Sequence, residues 1–340
     1  MKRILCLLLC AALMLGPIGC SQAKQRYEAT WYDVFDTVTI LTGYAESEAA
    51  FSAVAERVHA RLLEYHTLYD IYHDAPGGAN LKTVNDAAGG DPVAVDPRIT
   101  ELLSFCLEME AATDHRVDVT LGAVLSLWHD ARTAALDNPE TAAPPDPDAL
   151  AAAAQHTGAA LLELDAAAGT VRLTDPEARL DVGAIAKGFA AKKVAETLPD
   201  GYLLNLGRNI VAVGAKPGDV PWTIGVQSPD DANGLLALLD AKDVAVVTSG
   251  DYQRVFTANG VAYHHIIDPD TLQPGTLWRS VTVLCADSAV ADALSTALFL
   301  LPQAAGESLL AAYHADALWV APDGTVTMTA GFSAALHTGK

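Results

Sequence analysis

Apolar residues recur at helical spacing in several parts of the chain. From Ser47 to about Tyr65, the residues Phe51, Val54, Val58 and Leu62 lie three or four positions apart, and Ser47 is placed to cap the helix N-terminus. Similar patterns predict five further helices, at about Pro97–Ala111, after Gly188, near 231–239, at 288–300 and at 304–313.

Alternating apolar and polar residues predict strands in the rest of the chain. Tyr27 to Tyr44 is rich in β-branched and aromatic residues, and Asn259-Gly260 between apolar runs is the strongest hairpin signal. Further strands or hairpins are predicted at 161–173, 202–206, 210–213, 280–285 and around Pro322-Asp323-Gly324. Strands often follow one another without an intervening helix, which favours an α+β fold of mostly antiparallel sheets packed with helices. Residues 133–149 contain four prolines and predict a surface loop.

The first residues have the pattern of an export signal. Lys2 and Arg3 precede a 12-residue apolar run, Ile4 to Leu15, which is too short to span a membrane. Ile18-Gly19-Cys20 resembles the lipobox of bacterial lipoproteins, with Pro17 as a departure. We therefore expect a lipoprotein signal peptide at 1–19, a lipidated Cys20 in a tether at 20–26, and one domain over 27–340. The protein would be anchored to the outer face of the cell membrane; cleavage without lipidation is the alternative.

Composition restricts the possible partners. Apolar residues make up 51% of the chain, enough for a large core, and 42 acidic residues against 21 basic ones give a charge of −21. Because no run of Lys and Arg offsets this charge, nucleic-acid binding is excluded. Cys6 and Cys10 fall within the signal, and Cys106 and Cys285 resemble core hydrophobes, so the pattern does not support a disulfide framework or a zinc site.

Two glycine-containing turns are candidate ligand contacts. The run from Asp181 to Ala190 leads into a helix, where small residues let the backbone approach a ligand and Lys187 adds a positive charge. The alternative is an ordinary strand-to-helix turn with a solvated lysine. Asn205-Leu206-Gly207-Arg208-Asn209 lies between two apolar strands, and by itself it favours a plain hairpin turn.

Two other segments carry candidate metal or acid–base groups. His264 and His265 are neighbours in an extended segment, so their side chains point to opposite faces and do not share one zinc ion easily. Asp292 and Thr296 stand four residues apart on one face of an apolar helix. A carboxylate and a hydroxyl are oxygen ligands of the kind that Mg²⁺ takes beside substrate phosphates. A capped or salt-bridged aspartate near the helix start is the alternative.

Taken together, these segments resemble the ApbE family of flavin transferases, and the resemblance covers nearly all of the chain after the signal. Its motifs occur in family order as Asp118-Val119-Thr120-Leu121-Gly122, Asp181 to Ala190, Asn205-Leu206-Gly207, Thr248-Ser249-Gly250-Asp251-Tyr252, His265-Ile266-Ile267-Asp268-Pro269 and Ala291 to Ala297. Arg208 stands where the family has a second glycine, and Asp36 stands in a segment that is Met-Gly-Thr in many members.

The resemblance implies an ApbE-like, T-fold-like architecture in which FAD lies in a cleft with its diphosphate against Mg²⁺. The implied metal ligands are Asp292, Thr296 and the Ala184 carbonyl. The implied flavin-binding residues are Asn85, Val119, Thr120, Asp181, Lys187, Asn205, Gly207, His265 and Ile266.

The implied reaction moves FMN from FAD to a Ser or Thr hydroxyl of a target flavoprotein and releases AMP. That reaction requires a base near the attacking hydroxyl, for which His265 is the first candidate and Asp268 the second. Two alternatives stay open: an FAD diphosphatase in which water replaces the target hydroxyl, and a lipoprotein that binds FAD without turnover.

Overall fold

The computed structural model describes residues 23–231 and 233–339. The helices are α1 Glu48–Tyr69, α2 Leu81–Asp86, α3 Pro97–Ala112, α4 Gly122–Asp137, α5 Pro147–Ala153, α6 Ala186–Ala195, α7 Ser288–Leu300, α8 Gln303–Ala312 and α9 Ala330–Ala334. Three short 3₁₀ turns lie at Pro139–Thr141, Ala154–His156 and Ala159–Leu161.

The strands form one large sheet and several small ones. They are β1 Gln25–Val34, β2 Thr37–Ala45, β3 Val93–Ala94, β4 Leu162–Asp165, β5 Thr170–Leu173, β6 Tyr202–Leu206, β7 Asn209–Val213, β8 Trp222–Gln227, β9 Leu235–Ala241, β10 Val244–Gly250, β11 Phe256–Ala258, β12 Val261–Tyr263, β13 Ile267–Asp268, β14 Gln273–Pro274, β15 Ser280–Cys285, β16 Asp316–Val320 and β17 Val326–Met328. The large sheet has the order β1-β2-β6-β7-β10-β15-β16-β17, and every neighbouring pair is antiparallel. The predicted α+β fold is confirmed.

The large sheet separates two hydrophobic cores. Helices α1, α3, α6 and α7 cover one face, where α7 is so deeply enclosed that only Thr296 of its thirteen residues is not buried. On the opposite face, the β8–β9 pair and α9 pack on residues such as Val246 and Leu318. Neighbours in β10, Ala245 and Val246, therefore belong to different cores, as strand geometry requires.

A third, smaller core supports the cleft described below. Helices α4 and α5 pack against β11 around Trp128, whose indole N–H donates to the Leu272 carbonyl at 3.0 Å. The β11–β12 turn is the Asn259-Gly260 hairpin, and both residues have positive φ, 52° and 77°. That conformation is what a tight two-residue hairpin requires, so the turn prediction is confirmed.

Two predictions about local structure are corrected. The segment near 231–239 is not a helix. Residues Leu235–Ala241 form strand β9, which pairs with β8 so that Leu239 lies opposite Ile224. Leucine and alanine favour helices, but burial of Leu239 and Ala241 on one face of the strand outweighs that preference.

Residues 133–149 lie largely at the surface but are not one loop. Helix α4 continues to Asp137, and α5 begins at Pro147 with Asp146 as its cap.

The predicted signal peptide at 1–19 and the first three residues of the tether, including Cys20, lie outside the described residues. Within 23–231 and 233–339, no helix combines the length and apolar character needed to cross a bilayer. Cys106 in α3 and Cys285 in β15 are buried free cysteines.

Candidate active site

A cleft of about 520 Å³ opens where loops from the large sheet meet α4, α6 and α7. Its size lies within the range of small-molecule sites. The lining comes from segments far apart in sequence: 35–37, 116–118, one face of α4, 181–187, the β6–β7 turn, the end of β10 with the residues after it, 263–267, and Asp292 with Thr296 of α7.

The contact between α6 and α7 places the buried carboxylate of the cleft. Asp292 is only 4% exposed, and its Oδ2 accepts a hydrogen bond from the Gly188 amide at 2.7 Å. A Cβ at position 188 would overlap Asp292 Cβ and the Ser288 carbonyl, so only glycine lets the helices approach this closely. Burial raises the pKa of Asp292, while Lys187, with Nζ 3.9 Å from Oδ2, and the Gly188 amide favour its charged form.

The same contact engages an amide at the start of α6. Gly188 lies in the first turn of the helix, where amides have no acceptor within the helix, and it donates instead to Asp292 Oδ2. Ala184 precedes the helix, and its carbonyl accepts no hydrogen bond from the described residues. Ala184 and Thr296 both line the cleft, as Asp292 does. A carboxylate, a hydroxyl and an unpaired carbonyl form a set of hard oxygen donors that fits Mg²⁺. In the described part of the chain no group of three or more His, Cys, Asp or Glu residues could hold a metal.

Asp181 and Lys187 both lie in the cleft wall, as predicted. Asp181 Oδ1 accepts from the Gly183 amide at 2.8 Å, which shapes the turn before α6. Lys187 Nζ donates to the Gly183 carbonyl at 3.2 Å and stays beside Asp292. Lys187 is therefore held close to Asp292, a candidate metal ligand, and still borders the cavity.

His265 presents one ring nitrogen to the cleft. Its Nδ1 lies 3.1 Å from the Gln253 carbonyl, which can only accept, so Nδ1 carries the proton and Nε2 has a free lone pair. The residue is exposed to the open cleft, yet protein atoms crowd it. That crowding, with the charges of Arg254 and Lys187, holds its pKa below the usual 6.5. A neutral imidazole is the form that accepts a proton.

Asp268, the second base candidate, is not placed in the cleft. Its Oδ1 accepts from Arg116 Nη1 at 3.0 Å, and Arg116 also pairs with Asp270 at 2.6 Å. Arg116 borders the cleft, but Asp268 does not. Because Asp268 is held by Arg116 outside the cleft lining, the structure favours His265 as the base.

Asn85 and Val119 stand behind the cleft wall and not in it. Asn85 bonds in both directions to the backbone of Leu180, accepting from N at 2.7 Å and donating to O at 3.0 Å. The Val119 carbonyl accepts from the Asp181 amide at 2.8 Å. These residues thus position Asp181 from behind, and their predicted direct contact with the flavin has no support in this geometry.

Thr120 has a similar supporting role. Its hydroxyl donates to Asp118 Oδ1 at 2.6 Å and accepts from the Gly158 amide at 2.6 Å. Asp118 itself lines the cleft, and burial raises the pKa of its carboxyl. The threonine therefore fixes a neighbouring carboxylate that borders the cavity, and its own predicted contact with the flavin has no support.

The β6–β7 turn reaches the cleft through Gly207 and Asn209. Gly207 has φ of +59°, and a Cβ there would overlap the Thr37 side chain. Asn205 does not line the cleft; its Oδ1 caps the turn by accepting from the Arg208 amide at 2.9 Å. Gly207 therefore remains a candidate ligand contact, whereas the position of Asn205 does not support its predicted contact.

Arg208 and Ile266 take different positions near the cleft. Arg208 also has positive φ, +78°, and its guanidinium lies over the Tyr252 ring at 5.2 Å, outside the cleft lining. Ile266 is buried and lines the cavity, so it remains a candidate flavin contact.

Several lining residues were not predicted as ligand contacts. Arg116, Asp118, Gln253 and Arg254 border the cleft. The sequence signal for these residues was a polar or charged side chain next to a family motif. That signal does not show which loop residues reach the cleft, because loops distant in sequence meet only in the folded chain.

Asp36 also borders the cleft, in the β1–β2 turn. Phe35 and Asp36 both have positive φ, 52° and 50°, which marks a tight hairpin turn without glycine. The departure from the family motif at this position therefore adds a carboxylate to the cleft wall.

The fold and the cleft define a member of the ApbE family, to which the chain belongs: the family profile matches residues 30–319. The chain is 34% identical over 348 residues to a protein of Treponema pallidum named FAD:protein FMN transferase, covering 95% of this chain and 92% of that protein. A protein of the same name from Klebsiella pneumoniae is 31% identical over 253 residues, covering 73% and 75%.

Solved structures agree with this assignment. The crystal structure of the ApbE protein from Thermotoga maritima superimposes with a TM-score of 0.81 at 26% identity, covering 92% of this chain and 100% of that one. The flavin transferase ApbE from Vibrio cholerae gives a TM-score of 0.77 at 25% identity, with the same coverage.

Proposed function

We propose that the protein transfers FMN from FAD to a Ser or Thr hydroxyl of a target protein, in a reaction that depends on Mg²⁺ and releases AMP. Membership of the ApbE family and relatives named FAD:protein FMN transferase support FMN transfer to a protein. The oxygen donors around Asp292 support the metal. The single observation that carries the metal assignment is the Gly188–Asp292 hydrogen bond, which holds a buried carboxylate at the cleft that Ala184 and Thr296 also line.

Asp292, Thr296 and the Ala184 carbonyl would hold the ion. When bound, Mg²⁺ would supply positive charge that stabilises the diphosphate and the AMP leaving group. Lys187 adds a fixed positive charge at the same end of the cleft, where it stabilises phosphoryl oxygens as charge develops on them.

The acid–base part of the reaction belongs to His265. The target hydroxyl oxygen bonds to the FMN-side phosphorus, and the bond from that phosphorus to the bridging oxygen breaks, so that AMP leaves with the bridging oxygen. The hydroxyl proton passes to Nε2 of His265, which the Gln253 carbonyl holds in the correct tautomer. The imidazolium then returns its proton to solvent.

A labelling assay tests the proposal. The full chain in detergent is mixed with FAD, Mg²⁺ and a flavin-acceptor domain; the acceptor is examined by fluorescence on a denaturing gel, and AMP is quantified. A fluorescent acceptor band with an equal amount of AMP is expected. AMP without the band, also formed when no acceptor is added, would instead establish the diphosphatase. Bound FAD with neither product would establish a binding protein.

Export and lipid anchoring at Cys20 are part of the same proposal, supported by the sequence pattern of residues 1–20. Replacing Cys20 by Ser removes the acylated thiol, so the variant is expected to leave the membrane fraction while the unaltered chain stays in it. Equal amounts of the two proteins in the membrane fraction would contradict the lipid anchor.

A further inference from the structure

The segment after β10 contains an unusual group of unsatisfied polar atoms. Asp251 Oδ1, Tyr252 OH and Gln253 Nε2 are buried, and none has a hydrogen-bond partner among the described residues. The Gln253 side chain is near enough to Tyr252 to affect the pKa of the phenol, but the two groups do not reach hydrogen-bond geometry. Each unsatisfied atom costs about 1–3 kcal/mol, so folded proteins contain few of them.

Gln253 also lines the cleft. Its backbone carbonyl already holds His265, while its side-chain amide points to no acceptor. A donor that is buried at the wall of a cavity and lacks an acceptor is well placed to bond to a ligand.

Arg254, the next residue, is an unpaired cation in the same wall. It borders the cleft and has φ of +45°, a backbone conformation that is unfavourable for arginine. Arg116 and Arg279, by contrast, each pair with two aspartates. Among the arginines that the structure describes, only Arg132 and Arg254 make no hydrogen bond, ion pair or ring contact. In a chain with twice as many acidic as basic residues, such an arginine suits an anionic ligand.

The position of Arg254 indicates which anion. Arg254 and Lys187 both act electrostatically on His265, and Lys187 lies 3.9 Å from Asp292. Arg254 and Lys187 thus both lie near His265 in the cleft wall, and the proposed function places the diphosphate at the Lys187 end. Arg132 instead belongs to the part of the wall that α4 provides.

We propose that Gln253 and Arg254 form a phosphate-binding arm, in which Gln253 Nε2 and the Arg254 guanidinium donate hydrogen bonds to the diphosphate of FAD from the side of the cleft that carries His265. This inference rests on the proposed function. The arm supplies donors in addition to Lys187, and an arginine fork suits phosphate oxygens.

The test compares FAD with riboflavin, which has no phosphate. Dissociation constants are measured by flavin fluorescence, with riboflavin measured in competition with FAD, both in Mg²⁺ and in EDTA. Arg254→Gln is expected to weaken FAD binding about tenfold or more and to leave riboflavin binding within about twofold. Gln253→Leu should weaken FAD binding less, about threefold. Arg254→Asn is a second variant that also removes the charge. Because asparagine tolerates positive φ, it serves if Arg254→Gln fails to fold.

Two controls make the result specific. Arg57→Gln removes the same charge from α1, where Arg57 donates only to the Ala53 carbonyl, and it should leave both constants unchanged. Arg132→Gln removes an unpaired charge elsewhere in the cleft and should weaken FAD binding less than Arg254→Gln does. Equal losses for the two cleft arginines, or equal losses for FAD and riboflavin, would overturn the arm. A wild-type protein that binds no FAD would instead overturn the proposed function.

Discussion

The two walls of the cleft are built in different ways. In the helix wall, Gly188, Asp292 and Lys187 satisfy one another through short contacts between α6 and α7. In the loop wall, the buried Gln253 Nε2 has no acceptor, and Arg254 makes no hydrogen bond or ion pair with the described residues. The helix contact fixes the carboxylate and the lysine in place before any ligand binds, whereas Gln253 and Arg254 would gain their contacts from the ligand. Substitutions at Gly188 and Asp292 should therefore affect folding or catalysis, and those at Gln253 and Arg254 should affect affinity.

The largest effect is expected for Asp292→Asn. The amide keeps the size of the side chain but removes the charge that a divalent cation requires, so turnover should fall about 100-fold or more. AMP release over a Mg²⁺ titration measures this. Asp240→Asn, at a partly exposed aspartate paired with His337, is the control. Near-normal turnover at low Mg²⁺ in Asp292→Asn would contradict the metal assignment.

The next effect is expected at His265. His265→Gln should lower the rate of FMN transfer about 100-fold with little change in FAD affinity, because the ring acts on the acceptor proton. Single-turnover rates and FAD dissociation constants separate the two effects. A variant that loses FAD binding and keeps its transfer rate would show that His265 binds the flavin and is not the base.

The pH dependence of stability follows from the same ring. The folded pKa of His265 lies below the unfolded value of 6.5, so the folded protein binds fewer protons than the unfolded chain. This contribution to stability is fully present above about pH 6.5 and is lost as the pH falls towards the folded pKa. Relative to His265→Gln, the wild type should therefore lose more stability between about pH 7 and pH 5, as measured by urea unfolding. Parallel losses in the two proteins would show that the ring titrates normally in the folded state.

A smaller effect is expected for Gly188→Ala. The added methyl group would overlap Asp292 and Ser288, so the helices must separate, at a cost of about 1–3 kcal/mol. Urea unfolding measures the loss. Gly78→Ala is a matched control because no atom lies within 4 Å of a Cβ there. Equal stability of the two variants would show that the helix contact is not tight.

The smallest effect is expected for Arg208→Gly, although Arg208 is the clearest departure from the family motif. Glycine relieves the positive φ of +78°, and the variant loses the contact with Tyr252; these effects are each about 1 kcal/mol and opposite in sign. Stability and FAD affinity should change little. A large loss of FAD affinity would place the guanidinium on the ligand.

The helix wall was predicted from sequence better than the loop wall for a physical reason. Asp292 and Thr296 share a helix face because of a fixed local geometry, and the Asp181 to Ala190 run is continuous. Gln253 and Arg254 meet the cleft only through long-range packing, which no local pattern reports.

Two motif residues and one element show the limits of local patterns. Asp268 and Asn85 belong to recognisable motifs, but an ion pair and a backbone bridge, neither visible in sequence, hold them outside the cleft lining. The helix prediction for the β9 segment was wrong because strand pairing overrode local helix preference.

The cleft draws on residues from Phe35 to Thr296, and this dispersion has a thermodynamic consequence. No short part of the chain contains enough of the lining to bind FAD, so the ligand recognises the folded state and not the unfolded one. Binding and folding are then linked: FAD at about 100 times its dissociation constant would add about 2.7 kcal/mol to the free energy of unfolding. The concentration of FAD would thus affect the stability of the folded enzyme as well as its rate.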